Sequence, residues 1–431
     1  MHKWYSLIDK VYNMTNLEES FKLIRKNKGG QTKGVDGITA SLYGKNLSRN
    51  LCQLQEELKS GRYKPDAVRR VYIKKADGGE RPLGIPTIRD RIVQQALRTV
   101  LEPIFEPTFH PSSYGYRPNR SAHHAIAKSE RFARHYGLED VVDMDLSKCF
   151  DTLDHDLILS SVGRKVSDGK VLQLIKDMLG SGIMEDGDYI PTAKGSPQGG
   201  IISPLLANIY LDRFDQHMKS LGIRIVRYAD DILIFSRNKS EAGRNRAIAT
   251  FYLEKELKLR VNKEKTHLTN LRKGIPYLGI VLTEYGAVMS KKSIKRFKDK
   301  VRKLTPRRMG YKLTDYVDEL NLLLKGFSMY YRIARSKIHF RDLISWVRRR
   351  LRMMIMVSWK SWKGLHKQLK RMKYKGAFEK ISISRWRNSS CQLLHMALPN
   401  KYFHENLFLF DLEKVKTNIL HQYYELVLNK A

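Results

Sequence analysis

Ile223-Arg224-Ile225-Val226-Arg227-Tyr228-Ala229-Asp230-Asp231-Ile232-Leu233-Ile234-Phe235-Ser236 places two adjacent aspartates between two apolar runs. Runs rich in β-branched and aromatic residues form strands. Ile223–Arg227 and Ile232–Ser236 are therefore expected as strands with the acid pair at their junction. Upstream, Val141-Val142-Asp143-Met144-Asp145-Leu146 is a further apolar strand carrying acids, with Asp143 and Asp145 on one face by the two-residue repeat. Carboxylates gathered in apolar surroundings repel one another unless a cation joins them. Mg²⁺ suits such a site, because it takes oxygen ligands and completes its shell with water and substrate phosphates. Two such ions stabilise the attacking and the leaving oxygen of a phosphoryl transfer.

Outward from these acids the pattern is mixed. Leu17–Ile24, Leu47–Leu58, residues 88–106, Leu172–Leu179 and Leu205–Met218 have helical spacing. Val68–Ile73, the turn Asp77-Gly78-Gly79 and Arg81–Ile85 predict a hairpin with Lys75 and Arg81 flanking its tip. The glycine-rich stretch from Lys28 to Gly37 lacks P-loop spacing and is expected as a basic surface loop. This order suits an α+β fold, an antiparallel sheet backed by helices.

Charge narrows the function. The 431 residues hold 80 Lys and Arg against 44 Asp and Glu, a formal +36. Between residues 291 and 380 there are 28 basic and 6 acidic residues, so that segment carries +22 of the total. Aromatics interleave with it: Phe327, Tyr330, Tyr331, Trp346, Trp359 and Trp362. An excess this concentrated is the footprint of a nucleic-acid backbone. Cys52, Cys149 and Cys391 lie far apart, which argues against a disulfide framework and a zinc site. Neither a signal peptide nor an apolar run of membrane length is visible, so no membrane partner is expected, and a reducing, cytoplasmic bacterial setting is.

Three motifs in order resemble one family. Tyr228-Ala229-Asp230-Asp231 is similar to the YxDD box of reverse transcriptases, and Val142–Asp151 to the acidic motif that precedes it in their palm domain. The run from Gly195 to Tyr210, with Pro197-Gln198-Gly199-Gly200 and Ser203-Pro204-Leu205-Leu206-Ala207-Asn208, has the form found in group II intron proteins. Ser113-Tyr114-Gly115-Tyr116-Arg117-Pro118 adds a fourth motif, and the similarity runs over roughly residues 15 to 400.

The resemblance implies a right-hand polymerase fold (fingers, palm with antiparallel sheet, thumb) followed by a basic helical thumb/maturase domain. The expected divisions are an N-terminal extension (1–60), fingers (61–140), palm (141–285), thumb/maturase (286–400) and a C-terminal tail (401–431) without an endonuclease, as in compact group IIC-like members. It implies that Asp145, Asp230 and Asp231 are catalytic and hold metal, with Leu146 added to the metal set. Asp143 falls at a position the family varies and is left out. Lys75, Arg81, Phe150, Gln198, Lys265 and Arg91 are the implied nucleotide contacts: Lys75 and Arg81 clamp the triphosphate, Phe150 acts as a steric gate against the 2′-hydroxyl, and Lys265 donates a proton to pyrophosphate. Tyr277-Leu278-Gly279 resembles the primer grip, and Arg307, Arg308, Arg348, Arg349 and Arg350 are the implied RNA and DNA contacts. The implied cofactor is a pair of Mg²⁺ ions, with Mn²⁺ as substitute. The implied partners are intron RNA, an RNA template with DNA or RNA primer, dNTPs and target DNA. A domesticated relative in DNA repair or phage defence, an RNA-binding splicing factor without polymerisation, and an RNA-copying RNA polymerase are the alternatives.

Overall fold

The computed structural model describes residues 3–74, 78–196, 199–359, 361–380 and 392–424. The chain up to Asn270 forms one compact unit and the chain from Leu271 another.

In the first unit the hairpin of β1 (Val68–Lys74) and β2 (Glu80–Ile85) pairs Ile73 with Arg81. It belongs to a sheet of order β2-β1-β4-β5, completed by β4 (Ile183–Glu185) and β5 (Asp188–Ile190). The second sheet, of order β6-β7-β3-β8, joins β3 (Asp140–Met144), β6 (Arg224–Tyr228), β7 (Asp231–Ser236) and β8 (His267–Asn270), and every pairing in it is antiparallel.

Alternation along these strands buries both faces. Val142, Met144, Ile225, Ile232 and Ile234 enter the main core, to which the helix Ser203–Ser220 contributes Leu206, Ile209, Tyr210 and Phe214. On the other face Phe235 meets Phe132 edge-on at 5.4 Å. Each such side chain taken from water stabilises the fold by about 1.5–3 kcal/mol.

The expected N-terminal extension is part of this same core. Leu17, Phe21, Leu51, Leu54 and Leu58 are buried in it. Asp168 ties the ends together: Oδ2 accepts from the N–H groups of Leu7 and Ile8, at 2.7 and 2.9 Å, while Oδ1 caps the helix Gly169–Leu179. The stretch read as a surface loop starts with a short 3₁₀ helix, Lys28–Gln31, that buries Gly30.

The second unit opens with a meander of β9 (Ile275–Tyr277), β10 (Ile280–Thr283) and β11 (Gly286–Met289). The expected palm limit at 285 thus falls inside this unit. The helices Lys291–Leu304, Leu313–Tyr331 and Lys337–Trp359 follow and bury Phe297, Leu320, Leu324, Phe340, Ile344 and Val347 together. The segment expected as a tail supplies Phe403, Leu409 and Leu412 to that core. No described helix is long and apolar enough to cross a membrane.

Candidate active site

β6 and β7 pair Tyr228 with Asp231, which leaves Ala229 and Asp230 as a two-residue turn. Ala229 has φ of 58°, a left-handed conformation that a Cβ disfavours. Arg227, fully buried, holds the turn from below. Its Nη1 donates to Ala229 O and to Asn208 Oδ1, both at 3.0 Å. Its Nε and Nη2 donate to Asp215, at 2.9 and 2.6 Å. Asn208 in turn donates to Gly115 O at 2.9 Å. The main chain is stitched as well: Tyr114 N–H donates to Arg227 O, and Arg227 N–H to Ser112 O, both at 2.9 Å. A Cβ on Gly115 would come within 2.2 Å of Ala229 N, so this contact requires glycine. Motifs separate in sequence therefore meet in one buried cluster beneath Asp230.

Above the turn, Asp145 and Asp230 line a common cavity of about 980 Å³. Asp145 follows the end of β3. Its N–H donates to Thr266 Oγ1 at 3.2 Å and its O accepts from Asn262 N–H at 2.9 Å. Burial raises the Asp230 carboxyl, with the charge of Asp145 adding to the effect and Arg81 and Arg227 opposing it. Asp231 has one exposed side, yet the protein around it, then Asp230, Asp143 and Asp145, push its carboxyl up to about 7. Burial carries Asp143 to about 6, against the pull of His267, whose Nε2 lies 3.9 Å from its Oδ2. Lys265 Nζ stands 3.8 Å from Asp145 Oδ2.

Carboxylates grouped in a partly buried site, where burial and then neighbouring negative charge favour the protons of Asp143, Asp230 and Asp231, seek positive charge. The oxygen donors are of the kind Mg²⁺ takes. Among the described residues no three His, Cys, Asp or Glu side chains close into a complete metal cage. Mg²⁺ needs only one or two protein carboxylates where water and phosphate fill the shell, so these residues fit it.

The remaining expected contacts divide. Arg81, on β2, lines the cavity, as do Lys265 and Leu146. The Leu146 side chain is buried, so the ligand it has to offer is its main-chain carbonyl. Phe150, in the short helix Cys149–Thr152, packs against the core and meets Tyr116. Lys75 and Gln198 lie outside the described residues.

Arg91 is corrected: it does not line the cavity. Its guanidinium is buried and donates to Pro86 O, Gly29 O and Thr32 O at 2.7–2.9 Å, tying the Lys28–Thr32 stretch to the helix Ile88–Phe105. Arg348 is corrected likewise: it is buried and binds Glu413 and His404, each at 3.1 Å. Arg350, half-buried, donates from Nε and Nη2 to Thr305 Oγ1 and Thr305 O. Arg307, Arg308 and Arg349 are exposed. In the expected primer grip, Leu278 O accepts from Tyr330 Oη at 2.6 Å, and Gly279 packs under Tyr331, joining two stretches that the sequence lists apart.

Sequence reasoning missed Arg227 and Asp215. The signal was available: an arginine inside an apolar strand needs a buried acid. It also passed over Arg70, Lys148 and Arg260, which line the cavity.

Residues 73–282 match the family described as Reverse transcriptase (RNA-dependent DNA polymerase), and residues 294–374 match Group II intron, maturase-specific domain. The chain is 37% identical over 300 residues to Protein YkfC of Escherichia coli (strain K12), covering 61% of this chain and 79% of that protein. It is 40% identical over 209 residues to Group II intron-encoded protein LtrA of Lactococcus lactis subsp. cremoris, covering 48% and 34%. With Putative COX1/OXI3 intron 2 protein of Saccharomyces cerevisiae it shares 32% over 254 residues, covering 59% and 28%. The match thus spans about a third or less of the length of the two relatives named for introns. The acid cluster, the basic helical unit that follows it in the chain and these likenesses agree: the chain belongs to the group II intron reverse transcriptase/maturase family.

Proposed function

We propose that this protein copies RNA into DNA by adding deoxynucleotides to a primer terminus, and that its basic second unit binds structured RNA, intron RNA first. The observation that carries the reading is the convergence of Asp145 and Asp230, with Arg81, on one cavity. Asp145 and Asp230 would hold two Mg²⁺ ions, or Mn²⁺ in their place, with Asp231 beside them. When bound, the metal supplies the charge that acidifies a primer 3′-hydroxyl and stabilises the departing pyrophosphate.

The chain's own groups do the rest. Arg81 sets a cation at the cavity wall, where it offsets triphosphate charge. Lys265, a solvated ammonium near Asp145, would give a proton to the leaving group. The Phe150 ring bars a ribose 2′-hydroxyl by sterics. Arg307, Arg308 and Arg349 offer exposed charge to an RNA backbone. By likeness to the intron-encoded relatives, the RNA work is assistance of splicing and target-primed copying into DNA.

Primer extension on a primed RNA with dNTPs, run with Mg²⁺ and again with excess chelator, tests the reading. Complementary DNA that depends on the metal supports it; extension indifferent to chelator contradicts it.

A further inference from the structure

Tyr116 stands between two pinned residues. Before it, Gly115 O is held by Asn208 and the Gly115 backbone packs on Ala229. After it, Arg117 is buried and donates to Glu106 at 3.0 Å and to His110 O and Ser113 O at 2.8 Å. Tyr116 itself has φ of 60°, a strained conformation for a bulky side chain. Its ring is 51% exposed. Burial, and then the charges of Asp230 and Tyr228, push its hydroxyl up, with Arg81 opposing. Its ring meets that of Phe150 edge-on, with centroids 6.2 Å apart and planes at 83°. The Phe150 backbone is fixed in turn, its O accepting from Ser196 N–H at 2.8 Å.

Backbone strain persists where neighbours over-determine a residue, and it collects at functional sites. Here it falls on the residue that touches the expected gate from the side of the catalytic turn. We infer that Tyr116 is a positioning residue for sugar selection: its ring braces Phe150 at the angle from which Phe150 excludes a 2′-hydroxyl. The inference rests on the reading of the cavity as a nucleotide site. An edge-to-face aromatic pair is worth about two- to tenfold in an equilibrium, which sets the size of effect expected.

The test measures kcat/KM for a dNTP and the matching rNTP, using the full chain on primed RNA. Tyr116→Phe is expected to keep the wild-type ratio. Tyr116→Leu and Tyr116→Gly are expected to lower it about two- to tenfold, mainly through a lower KM for the rNTP. The glycine relieves the left-handed strain, so its loss of selectivity is not a loss of folding. In a Phe150→Ala background, Tyr116→Gly should add no further loss. An unchanged ratio in both the Leu and Gly variants, or a fully additive loss with Phe150→Ala, overturns the inference. If Phe150→Ala relaxes selectivity while both the Leu and Gly variants of Tyr116 keep the wild-type ratio, only the role of Tyr116 falls. If the wild type makes no DNA, the polymerase reading falls and this one with it.

Discussion

Arg227 carries its charge into a site with no access to water, and it survives there because each face of the guanidinium edge has an acceptor: Asp215, Asn208 and Ala229 O. Removing one partner of such a pair leaves the other charge buried and alone, which costs about 3–5 kcal/mol. Asp215→Ala should therefore lower the denaturant midpoint by a corresponding amount and cut activity further than stability accounts for; a change within about 1 kcal/mol, the value for surface pairs, would contradict the clamp. His110, nearby, accepts from Ser112 N–H, and burial lowers its pKa from 6.5 to about 4. The folded state then binds fewer protons than the unfolded one across that interval, so this histidine's contribution is lost as pH falls from 6.5 toward 4 and is worth roughly 3 kcal/mol. Asp212, raised to about 6 by burial and then Asp215, acts in the opposite sense over the same interval. The difference between wild type and His110→Asn isolates the histidine: the wild type should lose more stability between pH 7 and 4. Equal losses in urea titrations at the two pH values would reject it.

The strand pair β6–β7 and the segment Ser112–Tyr116 act as one element, sealed by Gly115. Gly115→Ala drives a methyl into the Ala229 backbone, and overpacking of this kind costs about 1–3 kcal/mol. The Ala229-Asp230 turn should shift, so primer extension is expected to fall at least tenfold while far-ultraviolet circular dichroism at room temperature stays near wild type. Full activity in Gly115→Ala would show that the turn tolerates displacement. The strands, the β1–β2 hairpin and the long helices were legible in the sequence because their periods are local: alternation for β3 and β7, the paired extended runs of β1 and β2, helical spacing in Leu47–Ser60. Asp145 and Asp230 were legible because acids bounded by apolar strands are conspicuous. The fates of Arg91, Arg348 and Arg350 were not. Whether a cation is free or buried depends on which carbonyls the fold brings to it, and Gly29, Thr32, Glu413 and Thr305 are distant in the chain from the arginines they bind. The same holds for Phe403 and Leu412, whose core role depends on a surface made by helices far upstream.

The molecule as a whole carries a formal +36, and on the proposed function the exposed part of that charge would govern affinity for RNA. Binding to a structured RNA should fall by roughly a thousandfold or more between 50 and 200 mM salt if six or more phosphates are neutralised. Arg307→Gln with Arg308→Gln should flatten the log–log salt slope by about 1.4–1.8 and leave the melting temperature in place. Arg348→Gln should do the reverse, lowering the melting temperature with little change in slope; a pair of arginines that alters neither slope nor affinity would remove them from the RNA surface. On the proposed function, polymerisation and RNA binding draw on separate residue sets, Asp145 and Asp230 for one and the basic second unit for the other, so a single substitution should divide them. The measurement is Asp230→Asn assayed in parallel for primer extension and for RNA affinity. Extension should disappear while affinity stays within about twofold of wild type, a change below 0.5 kcal/mol. Undiminished extension by Asp230→Asn would contradict the assignment of the catalytic centre.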